Sequence, residues 1–327
     1  MDAVTLEVLR NAAAAVAEEM NATLVRTAYS PNVTDRLDCS CALFDADGGM
    51  VAQAENIPVH LGAMPHSVAA AIDAFPPETL SPGDAILLND PFHGGAHLPD
   101  LTLVSPVFND EEGDGGRSDP RLVGFAANRA HHADVGGARA GSVAADSTEI
   151  YQEGLRIPPV KLVEAGEENA AVVDLLLANV RTPDERRGDL AAQRAANETA
   201  RRRVGELIER HGLGTYRTGV AEIQDYAERR MRAAISDLPD GERTSGSRSS
   251  SDRRSGGGEY AFDDVLDDDG RGNEDLRIAA TVTVDGDAIV VDFDGSAPQT
   301  EGPLNAPIAV TTSAAYYAVR CLTDPEI

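Results

Sequence analysis

The stretch NDPFHGGAHLPD, residues 89–100, sets His93 and His97 among two aspartates and a glycine pair, and His131 and His132 follow downstream. Six of the seven histidines fall between His60 and His132, too clustered for casual surface filling, so a shared local purpose is expected there. His97 and Asp100 form HxxD; His131, His132 and Asp134 form HHxD at the end of a predicted strand. If the two segments end side by side on adjacent strands, imidazole and carboxylate donors gather on one side of a pocket. Such a set, without thiolate, suits Zn²⁺, Mn²⁺ or Fe²⁺. An ion with an open position lowers the pKa of bound water and polarises a carbonyl. The competing reading is that His97 and His131 hydrogen-bond backbone groups in a turn-rich region. Gly94, Gly95, Gly136 and Gly137 fit both readings, as close approaches to a ligand or as turn residues.

Several chemistries are excluded. There is no GxxxxGK[ST] and no GxSxG, and the sole lysine, Lys161, lies in IPPVKL, which argues against an internal P-loop or a Schiff-base lysine. Any nucleotide is expected on another polypeptide. The formal net charge of -27 repels phosphate, so neither a nucleic acid nor an anionic membrane is expected as partner. Dispersed acids, 4% aromatics and no tryptophan suit a halophilic cytoplasm, where salt screens self-repulsion, although a generic acidic surface has the same composition. Cys39, Cys41 and Cys321 make no disulfide framework and are expected as buried or strand thiols in a reducing compartment. The first twenty residues lack a basic segment and carry acids within the apolar stripe, so neither a signal peptide nor a membrane span is expected. A cytoplasmic location is expected.

These residues need elements to hold them. Apolar spacing predicts a long amphipathic helix over 4–28. LDCSCALFDADGGMVAQA reads as a hairpin with Asp38 at the start of its first strand, and an Ala-rich helix is expected at about 64–75. GDAILLND is a buried strand leading into the histidine segment. LTLVSPVF and RLVGFAANRA read as paired strands around a polar insertion at 109–120. The expected organisation is a metal-site α/β region over 1–168, a helical region over 169–239 packed on the sheet, a disordered Ser/Gly/Arg-rich insertion over 240–259, and a β-hairpin plus helix over 260–327. The fold class is α+β, mixed sheets with packed helices.

In this order the segments DRLDCSCALFDADGGMVAQAENIPVHLGAMP, GDAILLNDPFHGGAHLPDLTLVSPVF, VGFAANRAHHADVGG, STEIYQEGLRIPPVKL and GPLNAPIAVTTSAAYYAVRCLTDPEI resemble the hydantoinase B/oxoprolinase family, related to a subunit of acetone carboxylase. The resemblance implies a metal-dependent subunit in a hetero-oligomer with a hydantoinase A-type, ATP-binding subunit. The partner would phosphorylate the amide oxygen of a small cyclic amide, a hydantoin or 5-oxoproline, and this subunit would direct metal-activated water onto the carbon. It implies Asp38, His97, Asp100 and His131 as ligands of a divalent metal, Zn²⁺ or Mn²⁺. His132 and Asp134 become catalytic candidates beside them, orienting a ligand or accepting its other ring proton. His93, Glu153 and Arg156 become substrate-binding candidates, with Glu153 and Arg156 also readable as only a helix-start pair.

Family members run longer, so a C-terminal part of the family fold is expected to be missing here, supplied by another chain or lost. Two alternatives accompany the hydrolase: an acetone carboxylase-like subunit, marked by bicarbonate dependence, and a non-catalytic scaffold, marked by low metal content.

Overall fold

The computed structural model describes residues 1–54, 56–112, 118–238 and 257–324. In order the elements are α1 (Ala3–Thr27), α2 (Pro31–Thr34), β1 (Cys39–Phe44), β2 (Met50–Ala54), α3 (His60–Ala74), β3 (Ala85–Leu88), β4 (Asp100–Glu112), β5 (Ser118–His131), β6 (Val160–Glu164), β7 (Glu167–Glu168), α4 (Ala170–Ala178), α5 (Pro183–His211), α6 (Leu213–Ser236), β8 (Gly257–Asp268), β9 (Glu274–Asp285), β10 (Ala288–Asp292) and α7 (Ile308–Leu322). The α+β class holds, and every described strand pairing is antiparallel. Two compact units result: Met1–Gln224 with Ala306–Tyr316, and Asp225–Asn305 with Tyr317–Ile327.

The first unit is built on a seven-stranded sheet of order β2-β1-β5-β4-β3-β6-β7. Strand residues alternate between its faces. On one face Ala42, Phe44, Val104, Phe125 and Ala127 pack against Met64, Val68 and Ala71 of α3. On the other, Cys39, Cys41, Leu43, Ala126 and Ala130 meet Met20 and Leu24 of α1 and Ala196 and Ala200 of α5. The helix α5 starts with Pro183, Asp184 and Glu185, which suit the positive N-terminal end, and stops at Gly212, φ 83°. Its register on the sheet is set by buried amides. Asn128 donates to the Gln193 backbone oxygen and to Asn197 Oδ1, both at 2.8 Å, and Gln193 Nε2 donates to Leu101 O at 2.8 Å. A slipped helix would leave these groups unpaired, at about 1–3 kcal/mol each.

In the second unit β10, β9 and β8 form a three-stranded sheet. Asp285 pairs Ala288 around Gly286, the hairpin expected at that point. The first strand, β8, begins at Gly257, so residues 257–259 of the expected disordered insertion are strand, paired with Asp285, Val284 and Thr283. The other residues of that insertion that the structure describes are none; 240–256 lie outside the described residues. The 109–120 insertion is also partly strand. Residues 109–112 continue β4 and 118–120 belong to β5, because the ladder extends past the apolar core into the polar segment. Residues 113–117 lie outside the described residues.

Two further expectations shift. The helix α3 begins at His60, a turn before the expected start, leaving Pro65 inside it at the loss of one intrahelical donor. Cys39 and Cys41 are buried on β1, whereas Cys321 is exposed on α7, where only one helix face needs apolar groups. Among the described residues no helix is long and apolar enough to cross a membrane.

Candidate metal centre

The two histidine motifs meet because β4 begins at Asp100 and β5 ends at His131, directly opposite each other in the ladder. Asp38 precedes β1 on the other side of β5, and its backbone oxygen accepts from the His131 N–H at 3.0 Å. His97 is delivered by the loop ahead of β4. That loop passes so close to its neighbours that a Cβ on Gly95 would lie 2.2 Å from Asn89 O, and Gly94 turns with φ +81°. Asn89, buried at the end of β3, donates to Leu98 O and Leu155 O and accepts from Ile157 N–H, tying the loop to residues 155–157.

The donors converge. His97 Nδ1 is 3.0 Å from Asp100 Oδ2, His97 Nε2 is 3.1 Å from His131 Nδ1, and His131 Nδ1 is 3.2 Å from Asp100 Oδ1. One ligand atom from each of these three lies within 4.8 Å of the others, and Asp38 Oδ2 stands 4.0 Å from His131 Nδ1. The carboxyl of Asp100 is 1% exposed. Burial alone would raise its pKa, but the adjoining imidazoles of His131, His60 and His97 outweigh burial and hold it well below the usual carboxylate range. Burial works against protonation of His97 too, yet Asp100 overrides it and raises that imidazole. Although His97 and His60 both approach Asp100 Oδ2, the oxygen makes no hydrogen bond of acceptable geometry. An ionised buried carboxylate with an unsatisfied oxygen, beside two imidazoles and a second carboxylate, fits a divalent cation.

The other candidates lie elsewhere. His132, one residue beyond His131, projects to the opposite sheet face, as strand alternation requires. It is fully buried, its Nε2 sits 3.0 Å from Gln193 Oε1 on α5, and burial lowers its pKa to about 4. Asp134 is not brought to the cluster either. Its carboxylate accepts from the N–H groups of Gly136, Gly141 and Arg181 and from the Arg181 guanidinium, and these bonds outweigh burial and lower its pKa. Among the described residues neither catalytic candidate's side chain is seen bonded to the cluster: His132 lies beneath the sheet against Gln193, and Asp134 lies in the loop after β5.

His93 is 58% exposed and its Nδ1 pairs with buried Asp90 at 2.8 Å. Arg156 Nε reaches the same carboxylate at 3.5 Å, with its guanidinium over the exposed rings of Phe92 and Tyr151. Glu153 is within electrostatic reach of His97; burial, the larger effect, raises its pKa. Among the described residues the alternative pairing of Glu153 with Arg156 is not seen, and Arg156 turns to Asp90.

Sequence reading overlooked His60 and Arg129. His60 is 2% exposed, with Nε2 3.6 Å from Asp100 Oδ2, and burial, the largest effect, lowers its pKa. Arg129 is fully buried and donates to Thr102 and Ser67, both through side-chain hydroxyls. Membership in the histidine cluster was a signal for His60. Nothing in an alternating strand marks Arg129 as buried.

Fold and donor set together describe an α+β protein with a metal-type centre at the ends of adjacent strands. Residues 2–327 match the family model of hydantoinase B/oxoprolinase, and the chain belongs to this family. It is 37% identical over 338 residues to 5-oxoprolinase 1 of Arabidopsis thaliana, covering 100% of this chain and 25% of that protein. It is 35% identical over 287 residues to caprolactamase subunit beta of Pseudomonas jessenii, covering 88% and 45%. The crystal structure of the ATP-dependent caprolactamase from Pseudomonas jessenii superposes with a TM-score of 0.84 at 33% identity, over 98% of this chain and 51% of that one. Nucleotide-free acetone carboxylase gives a TM-score of 0.81 over 98% and 41%, but at 19% identity it shows the fold alone. The chain thus spans between a quarter and about half of the length of these relatives.

Proposed function

We propose that this chain is the metal-holding subunit of an ATP-dependent cyclic-amide hydrolase of hydantoin or 5-oxoproline type, working in a hetero-oligomer with a hydantoinase A-type subunit that binds ATP. The observation that carries the reading is the convergence of His97, Asp100 and His131, with Asp38 alongside. These four residues would hold Zn²⁺ or Mn²⁺. When bound, such an ion supplies a Lewis acid and eases ionisation of water at neutral pH. The remaining work falls to the chain's own groups. Asp100, kept ionised, balances charge at the centre; Glu153, with a raised pKa near His97, is suited to take up or release a proton during ring opening. Arg156 and His93, joined at Asp90, are suited to hold the cyclic amide. The partner would activate the ring by phosphorylating its amide oxygen, consistent with the absence of a P-loop in this chain.

The test combines purified chain, hydantoinase A-type partner, ATP and a lactam or hydantoin. Ring opening should require ATP and metal, and the His97→Ala/His131→Ala double variant should abolish it while the chain remains folded. Full activity in that variant removes the mechanism, and bicarbonate-dependent consumption of a ketone would favour a carboxylase.

A further inference from the structure

We infer that His60 is a positioning residue for the metal centre: anchored by Ser40, it offers its Nε2–H to Asp100 and fixes that carboxylate for the ion. The inference rests on the metal reading above and goes beyond it in naming an additional residue pair.

The geometry is a short chain of groups. Ser40 Oγ lies 2.8 Å from His60 Nδ1, and His60 Nε2 lies 3.6 Å from Asp100 Oδ2, the unsatisfied oxygen. Ser40, His60 and Asp100 are all buried. An imidazole lone pair aimed at a carboxylate would be repelled, so Nε2 carries a proton toward Asp100, and Nδ1 is left to accept from the Ser40 hydroxyl. A shift of roughly 0.7 Å closes the remaining gap to an ordinary hydrogen bond. Held from behind at Oδ2, the carboxylate keeps a fixed plane and lone pairs on both oxygens for a cation, the usual service of a group behind a metal ligand.

The backbone that carries His60 is pinned from α7. Ser313 Oγ donates to Val59 O and accepts from Gly62 N–H, bracketing His60 on both sides. A Cβ on Gly62 would sit 3.0 Å from the Ser313 backbone, so a larger residue would push the two helices apart by a few tenths of an ångström. Serine, histidine and aspartate also compose acyl-transfer triads. Here the serine is buried in strand β1, out of reach of a substrate, and serves as an anchor.

Equilibrium dialysis of the whole chain against Zn²⁺ and against Mn²⁺, with melting of the metal-free protein, tests this. His60→Gln, whose amide N–H reaches about as far as Nε2, should bind within about threefold of the unaltered chain, whereas His60→Leu should bind about 10- to 100-fold more weakly. Ser40→Ala should weaken binding several-fold, with a modest fall in metal-free melting temperature because the buried His60 Nδ1 loses its partner. Unchanged affinity in His60→Leu or Ser40→Ala overturns the inference, as does a Gln variant as impaired as the Leu variant at unchanged metal-free melting. If His60→Leu does not fold, Ser40→Ala decides by the same criterion. An unaltered chain that binds neither ion overturns the metal reading and this inference with it; binding that no variant weakens overturns this inference alone.

Discussion

Asp100 and His131 face each other across the β4–β5 ladder, Oδ1 to Nδ1 at 3.2 Å, each at the end of its strand. The pair joins two motifs 31 residues apart in the chain. Removing either partner should therefore empty the centre. In Asp100→Ala or His131→Ala, elemental analysis should give less than about half an ion per chain, given that an intact four-ligand site retains its ion. His93→Ala, which removes an exposed ring paired with Asp90, should leave metal content unchanged.

His132 should matter for stability rather than for metal. Its ring bonds Gln193 beneath the sheet, so His132→Ala leaves a buried amide oxygen without this donor and opens a small cavity. A loss of about 1–3 kcal/mol is expected in urea unfolding, with metal content retained. Metal loss in a folded His132→Ala protein would contradict this placement.

Asp134 should contribute a pH-dependent share of stability. Its folded pKa lies below the ordinary value, so its contribution is fully present above the unfolded carboxylate range of about 4 and is lost as pH falls through the depressed folded value. Asp134→Asn should unfold at lower urea than the unaltered chain at pH 7, and the gap should narrow at about pH 3. An equal gap at both values would refute the assignment.

Gly95→Ala should disturb the loop that delivers His97. The added methyl meets Asn89 O at 2.2 Å, and the backbone must move to accept it. A cost of about 1–3 kcal/mol is expected, together with weaker metal binding, because the loop cannot shift without carrying His97. Calorimetry and dialysis on the same preparation check both effects.

Much of this protein was legible in its residues. Periodicity marked α1 and the strand pairs, and the histidine clustering marked the segments that converge, because alternation and local spacing are properties of the chain itself. The family resemblance supplied Asp38, which composition and spacing alone could not distinguish from an ordinary strand-initiating aspartate. What the residues left open was which side of the sheet each histidine serves. His131 and His132 are adjacent in sequence and opposite in space, and only the pairing of β5 with β4 and the packing of α5 decided that one joins Asp100 and the other Gln193. Ser40 and Arg129 likewise became neighbours through the β1–β5 pairing, and the docking of α3 set His60 on the first and Ser67 on the second, long-range packing events that no local pattern encodes.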